Sequence, residues 1–311
     1  MAYVTMAAKR ALTAEQRYLF DLRGYLIIRN AIPDSEIAEC RHAISVNMDK
    51  FKQREGALRN AQRDAFCGTK GRFDCGTMLH WEKPYCDVFR KFLSVPKLSP
   101  LLTELCGPGF RIDHLPLATI QYKESDGFDL HGGALDENGT WQQELSYNYQ
   151  HGTISCNLLN ISFALDETKE GDGGFVIIPG SHKANFPLPE SLAQCTEPNG
   201  YLVNPALKPG DVLIFSEATC HGALPWKGES DSRINLFYRY CPANFAYGRG
   251  YLENFSDIIN ELSEAEKSVL QPPFVNRLDR VQILEDNKTN ICERSQFKKD
   301  YDKEVFDCEY F

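Results

Sequence analysis

The sequence predicts a mainly β fold with flanking helices, its core a closed or double-sheet architecture such as a jelly roll. After residue 108, short runs rich in Val, Ile, Phe and Tyr recur, each cut by Gly, Pro or Asp, which is the texture of strands joined by turns. The 22 Gly and 16 Pro, with 19 Phe, 14 Tyr and 3 Trp, suit a turn-rich β protein better than a helical bundle. A chain of 311 residues, 42% hydrophobic and 25% charged, is globular rather than disordered.

The elements follow in chain order. Residues 14–23 carry apolar side chains at helical spacing, Gly24 ends the helix, and 25–30 is a short strand of β formers. Pro33 and Asp34 start a second helix that runs towards Phe51. Residues 52–70 are charged and patternless, a loop or cap. Short helices are expected at 88–93 and 98–105, the latter closed by Cys106-Gly-Pro-Gly109. Strands are then expected at 110–112, 117–122, 152–164, 174–178, 201–203, 212–215 and 233–240. Ser263 and Glu266 form a capping box before a last helix ended by Pro272 and Pro273, and the tail from Asp286 is polar.

Charge narrows the partners. With 34 Lys and Arg against 43 Asp and Glu the net charge is -9, so the broad cationic field that nucleic acid or an anionic membrane requires is missing. A local basic pocket for a small anion is still compatible. No run of eighteen apolar residues suggests a membrane span, and residues 1–12 lack the apolar stretch of a signal peptide. Eleven cysteines without a Cys-x-x-Cys pair read as free thiols in a reducing compartment, so a cytoplasmic location is expected.

Among seven histidines, two stand out. His131 follows Gly127-Phe-Asp-Leu130 and precedes Gly132 and Gly133, which places its ring at a strand end where backbone can approach a ligand. His221 comes shortly after the apolar run Val212-Leu-Ile-Phe215 and just before Gly222. Two histidines far apart in sequence, each at the mouth of a strand, are how a jelly roll builds a metal site. His42, His80, His114, His151 and His182 read as structural.

Between these two lies the stretch from Gly171 to Lys183, Gly-Asp-Gly-Gly-Phe-Val-Ile-Ile-Pro-Gly-Ser-His-Lys, and Arg233 lies twelve residues beyond His221. With the opening from Leu12 through Gly24-Tyr-Leu-Ile-Ile-Arg-Asn30, these segments resemble the phytanoyl-CoA dioxygenase-like branch of the iron(II)/2-oxoglutarate oxygenases. The resemblance covers most of the chain. It implies a cupin-like double-stranded β-helix core at about 108–245, within a single domain 1–311, a mainly helical buttress at 1–107 and a C-terminal extension at 246–311. It implies Fe(II), 2-oxoglutarate and O2 as cofactors, with His131 and His221 binding iron and Arg233 pairing with the distal carboxylate of 2-oxoglutarate. A ferrous ion accepts two neutral imidazoles and a carboxylate on one face, leaving positions for the keto acid and dioxygen. An arginine suits the far carboxylate because its fork donates two parallel N–H bonds and keeps its charge.

One position departs from the family's His-x-Asp/Glu pattern, since His131 is followed by Gly132 and Gly133. Three completions are open. A carboxylate from elsewhere, Asp129 two residues before His131 or Asp136 or Glu137 beyond it, fills the gap. Alternatively chloride or water sits beside Gly133, as in the iron/2-oxoglutarate halogenases, or the protein is a non-catalytic pseudoenzyme or binding module. The leading expectation is a dioxygenase that hydroxylates an aliphatic C–H of a small or lipid-like molecule, releasing succinate and CO2.

For the co-substrate side, Gln121 and Lys123 are the further candidates, with Tyr122 between them. For the substrate, Trp141, Tyr147 and Tyr149 follow His131 in an aromatic and polar stretch that would serve as a lid, and Trp226 would shape the wall near His221. Cys156 and Cys220 read as small core fillers. The chain has neither a phosphate-cradling loop nor a Gly-x-Ser-x-Gly elbow.

Overall fold

Thr13 opens α1 (Ala14–Arg23) with a reciprocal capping box, its hydroxyl accepting from the Gln16 backbone while the Gln16 side chain accepts from Thr13 N–H. Gly24 at φ 78° closes the helix by donating to the Phe20 carbonyl. The structure, a computed structural model, describes residues 10–196, 200–248, 255–275, 279–291 and 293–308. The chain continues through β1 (Tyr25–Ile28), α2 (Asp34–Val46), β2 (Lys52–Gln53), β3 (Phe73–Cys75), α3 (Asp87–Lys91) and α4 (Ser99–Cys106). Nine strands follow: β4 (Arg111–Ile112), β5 (Leu117–Tyr122), β6 (Phe128–His131), β7 (Tyr147–Gln150), β8 (Thr153–Cys156), β9 (Leu159–Ala164), β10 (Gly174–Ile177), then, after the one-turn helix α5 (Glu190–Ala193), β11 (Val212–Ser216) and β12 (His221–Leu224). The long β13 (Ser232–Cys241), α6 (Glu264–Val269), the hairpin β14 (Val281–Ile283) and β15 (Thr289–Ile291), and α7 (Gln296–Phe306) complete it.

Among the described residues, the larger sheet runs β1-β11-β9-β13-β5-β3-β2, with β4 on the far part of β13, and every pairing is antiparallel. The smaller sheet is β10-β12-β6. This is the double-sheet β core with flanking helices that the sequence predicts.

Period-two alternation gives the larger sheet two different faces. Ala118 and Ile120, Ile161 and Phe163, and Leu236, Tyr238 and Tyr240 pack with the helices in one apolar core, where Phe92 stacks on Phe163 with ring centroids 4.6 Å apart. The intervening residues Thr119, Gln121, Asn160, Ser162, Arg233 and Asn235 are also buried, but they are polar and occupy the opposite face. A second apolar cluster, Phe175, Ile177, Leu213 and Phe215, joins the two sheets at one side. The buried polar face lies between the sheets, where its groups line a cavity.

Several local expectations differ from the structure. The strand expected at 152–164 is two, β8 and β9, and 201–203 makes only the single bridge Val203 to Ile177. The charged stretch 52–70 contains β2, and with β3 it extends the larger sheet beyond β5. Within the first 107 residues, β1 also joins that sheet. Strands β6, β7 and β12 have few β-branched residues and are held by their ladders rather than by propensity.

Candidate metal and co-substrate site

The smaller sheet brings His131 and His221 together as register partners on β6 and β12. Their ring centroids are 4.2 Å apart. Each ring is fixed by a backbone carbonyl two residues earlier, His131 Nδ1 donating to Asp129 O at 3.0 Å and His221 Nδ1 to Thr219 O at 2.8 Å. With Nδ1 protonated, each Nε2 carries a bare lone pair. Desolvation, then the neighbouring His221, pushes the His131 imidazole down to about 3, and desolvation also lowers His221. Both rings are neutral at pH 7. The surface exposure of His131 is to the two cavities that meet at its ring.

Glu217, four residues before His221 in the turn between β11 and β12, completes a group that could hold a metal: the ligand atoms of His131, Glu217 and His221 lie within 4.8 Å of one another. Its Oε1 accepts from Arg239 Nε at 2.7 Å and from Asn160 Nδ2 at 2.8 Å. Its Oε2 stands 3.5 Å from His221 Nε2. Burial alone would raise this carboxyl; the Arg239 cation, followed by the two histidines, overrides it and holds the group well below the usual range.

An inner cavity of about 560 Å³, counted with its mouth, runs from the histidines along the polar face of the larger sheet. Its far end is Arg233, 3% exposed. The guanidinium donates to Thr168 Oγ1 at 3.3 Å and Gln121 Oε1 at 3.1 Å, and among the described residues no carboxylate lies within salt-bridge distance. Desolvation lowers it only to about 10, so it stays charged. A buried cation whose hydrogen-bond partners among the described residues are neutral, with Asp166 acting only at a distance, can accept an anion. Gly174, at φ 69°, makes room for it, since a Cβ there would come within 2.9 Å of the Arg233 guanidinium carbon. Arg72 lines the same cavity, its charge shared with Asp74 and its guanidinium 4.9 Å from the Phe128 ring centroid.

Other expected residues are placed differently. Gln121 lies in the cavity and orients Arg233, whereas Lys123 is exposed past the end of β5, where the chain turns after Tyr122. Asp129 accepts from the backbones of Gln62 and Arg63, and Asp136 caps its own loop through Asn138 and Thr140 N–H, so neither joins the histidines. A Cβ on Gly133 would point to Cys220 Sγ at 3.3 Å. Tyr147 is buried, donating to Asp21 Oδ1, Tyr149 faces outward, and Trp226 is packed with its indole N–H on Ser230 O; none of the three lines either cavity. Within the Pro-Gly-Ser-His motif, His182 Nε2 donates to Asp21 O, tying the turn to α1, while Pro179, Gly180 and Ser181 line an outer cleft.

A second, outer cleft of about 1650 Å³, again counting its open side, meets the inner cavity at His131. Leu130, Ile178, Leu188 and Phe186 give it an apolar wall, and Asp136, Glu137 and Glu190 line it as well.

A double-stranded β-helix presenting two bare imidazoles and a buried arginine defines the class of iron/2-oxoglutarate-dependent oxygenases. The sequence profile of the phytanoyl-CoA dioxygenase family matches residues 20–235, and the chain belongs to that family. The dioxygenase cdmD of Talaromyces verruculosus is 25% identical over 149 residues, a match covering 46% of each chain. Among solved structures, HygX from Streptomyces hygroscopicus with nickel, 2-oxoglutarate and hygromycin B bound superposes with TM-score 0.60 at 22% identity, over 76% of this chain and 89% of that one. EctD from S. alaskensis, with 2-oxoglutarate and 5-hydroxyectoine, gives 0.51 at 21% identity over 75% and 77%. These two likenesses concern the fold. Among the described residues no helix is long and apolar enough to cross a membrane.

Proposed function

We propose that the protein is an iron(II)/2-oxoglutarate-dependent dioxygenase that hydroxylates an aliphatic C–H of a small molecule, releasing succinate and CO2. The observation that carries this reading is one cavity lined both by two lone-pair imidazole nitrogens and by a buried guanidinium that, among the described residues, forms no salt bridge. That donor set fits a divalent ion, which the two imidazoles would hold, and a dicarboxylate, one of whose carboxylates the arginine would bind. HygX and EctD, which bind 2-oxoglutarate on the same fold, support it.

Bound ferrous iron with 2-oxoglutarate and dioxygen would supply the oxidative decarboxylation and the oxidation of the substrate carbon. The chain's part is placement. His131 and His221 hold the metal through Nε2, their tautomers fixed by Asp129 and Thr219 carbonyls. Arg233 takes the distal carboxylate as a charge-assisted pair, oriented by Gln121 and Thr168. The substrate enters by the outer cleft, which His131 lines together with the apolar side chains of Leu130, Ile178 and Leu188.

Anaerobic protein reconstituted with Fe(II) and 2-oxoglutarate is expected to show a weak visible charge-transfer band and, on exposure to air, to turn 2-oxoglutarate into succinate even without substrate. Absence of both would sink the proposal and favour a binding module of the same fold.

A further inference from the structure

We infer that Glu217 is the carboxylate ligand of this metal site, supplied from the turn before β12 in place of the strand-end position that Gly133 occupies. The inference rests on the oxygenase reading and fixes which protein groups hold its metal.

An ion pair with Arg239 accounts for only half of this carboxylate. Arg239 and Asn160 both donate to Oε1, which, among the described residues, leaves Oε2 without a donor of its own. The nearest group to Oε2 is His221 Nε2 at 3.5 Å, and that nitrogen is an acceptor, because the proton of the ring is on Nδ1, given to Thr219 O. His131 Nε2 is bare for the same reason. Three lone-pair donors, two of them buried and the third, His131, facing the cavities, thus converge with no proton among them. Such an arrangement is unfavourable empty and strongly favourable around a divalent cation. Arg239 and Asn160 then act as the outer partners that aim a ligating carboxylate.

Two glycines explain why the carboxylate comes from the turn. A Cβ at Gly132 would lie 2.7 Å from Glu217 O and 2.9 Å from Thr219 O, so the missing side chain is what lets the Glu217 turn close onto β6. At Gly133, with φ 111°, a side chain would start towards Cys220 rather than the histidines. The positive φ at Gly133 disfavours a side chain at the familiar position, and the turn supplies the same chemical group. With two imidazoles and one carboxylate present, no protein position is vacated for chloride, and the site is built for oxygen transfer rather than halogen transfer.

Cobalt(II), added to the purified full chain, serves as the probe. Calorimetry on the wild type is expected to show one high-affinity site, and Glu217→Gln, which keeps the volume and an oxygen for Arg239, is expected to weaken it by about a hundredfold. Asp136→Asn, whose carboxylate only caps its own loop, is expected to bind as the wild type. Chloride should leave the wild-type cobalt spectrum unmoved and should perturb that of Glu217→Ala. A crystal structure of the cobalt-loaded wild type, which depends on no variant folding, should show Glu217 Oε2 bonded to the metal. Wild-type affinity in Glu217→Gln, or a water or chloride in place of Oε2, overturns the assignment while leaving the oxygenase reading intact. Cobalt bound through Glu217 with no affinity for 2-oxoglutarate supports the assignment and overturns the oxygenase reading.

Discussion

Gly132 lies directly against the Glu217 carbonyl, so close that a Cβ on Gly132 would stand 2.7 Å from that oxygen. Its φ of 84° is also in the left-handed region. Gly132→Ala is therefore expected to push the turn away from β6 and to cost about 2 kcal/mol of stability. Because the displaced turn carries Glu217 and leads directly into His221 at the start of β12, the same variant should lose cobalt affinity by at least about tenfold. Urea unfolding and cobalt calorimetry check the two effects separately; a stable variant with wild-type metal affinity would show that the turn's position is immaterial.

Arg233 is expected to act on the co-substrate and not on the metal. Losing a charge-assisted pair removes about 1.5–3 kcal/mol, so Arg233→Ala should weaken 2-oxoglutarate binding to cobalt-loaded protein by roughly a hundredfold. Cobalt affinity without 2-oxoglutarate should stay within about threefold, because Arg233 lies at the other end of the cavity. Arg233→Lys should recover only part of the loss, since one ammonium cannot reproduce the fork. Equal loss of metal and co-substrate binding would assign Arg233 a role in cavity architecture.

The aromatic residues after His131 show where sequence reasoning reached its limit. His131 and His221 were readable because each stands near a strand end and beside glycine, and Arg233 because the family pattern places it. Glu217 carries no such mark: it sits between a strand end and a turn, four residues before His221, and only the tertiary approach of Gly132 gives it meaning. A carboxylate directly after the apolar run Val212–Ser216 was the available signal, as a charge there must be paired or ligated. Tyr147 and Tyr149 read as lid residues from composition. In the structure the chain turns back as β7 and β8, which buries Tyr147 against Phe20 and His182 and leaves Tyr149 58% exposed.

That placement has its own expected outcome. Tyr147→Phe removes the hydrogen bond to Asp21 and should cost about 1 kcal/mol of stability, while kcat/KM for any substrate found stays unchanged. Tyr149→Ala should change neither. A rise in KM with either variant would return these residues to the substrate cleft.

Acid sensitivity should come in part from His182, far from the metal ligands in role. Its ring is buried, with Nε2 donating to Asp21 O and Nδ1 facing no donor, and desolvation pushes it down to about 4 from an ordinary 6.5. The folded state thus refuses a proton that the unfolded chain accepts. Between pH 6.5 and 4 the unfolded state binds more protons, so stability falls as the pH falls through this window and levels off below it. At about 1.4 kcal/mol per pKa unit, this one ring accounts for about 3 kcal/mol over the window. His131, pushed down to about 3, contributes a slope of the same sign in metal-free protein. Urea midpoints measured from pH 7 to pH 4 should therefore drop steeply for the wild type. His182→Gln, less stable at pH 7 through lost packing on Tyr147, should show a shallower fall; an unchanged slope would mean that His182 is already protonated in the folded chain, paired through a rearranged turn.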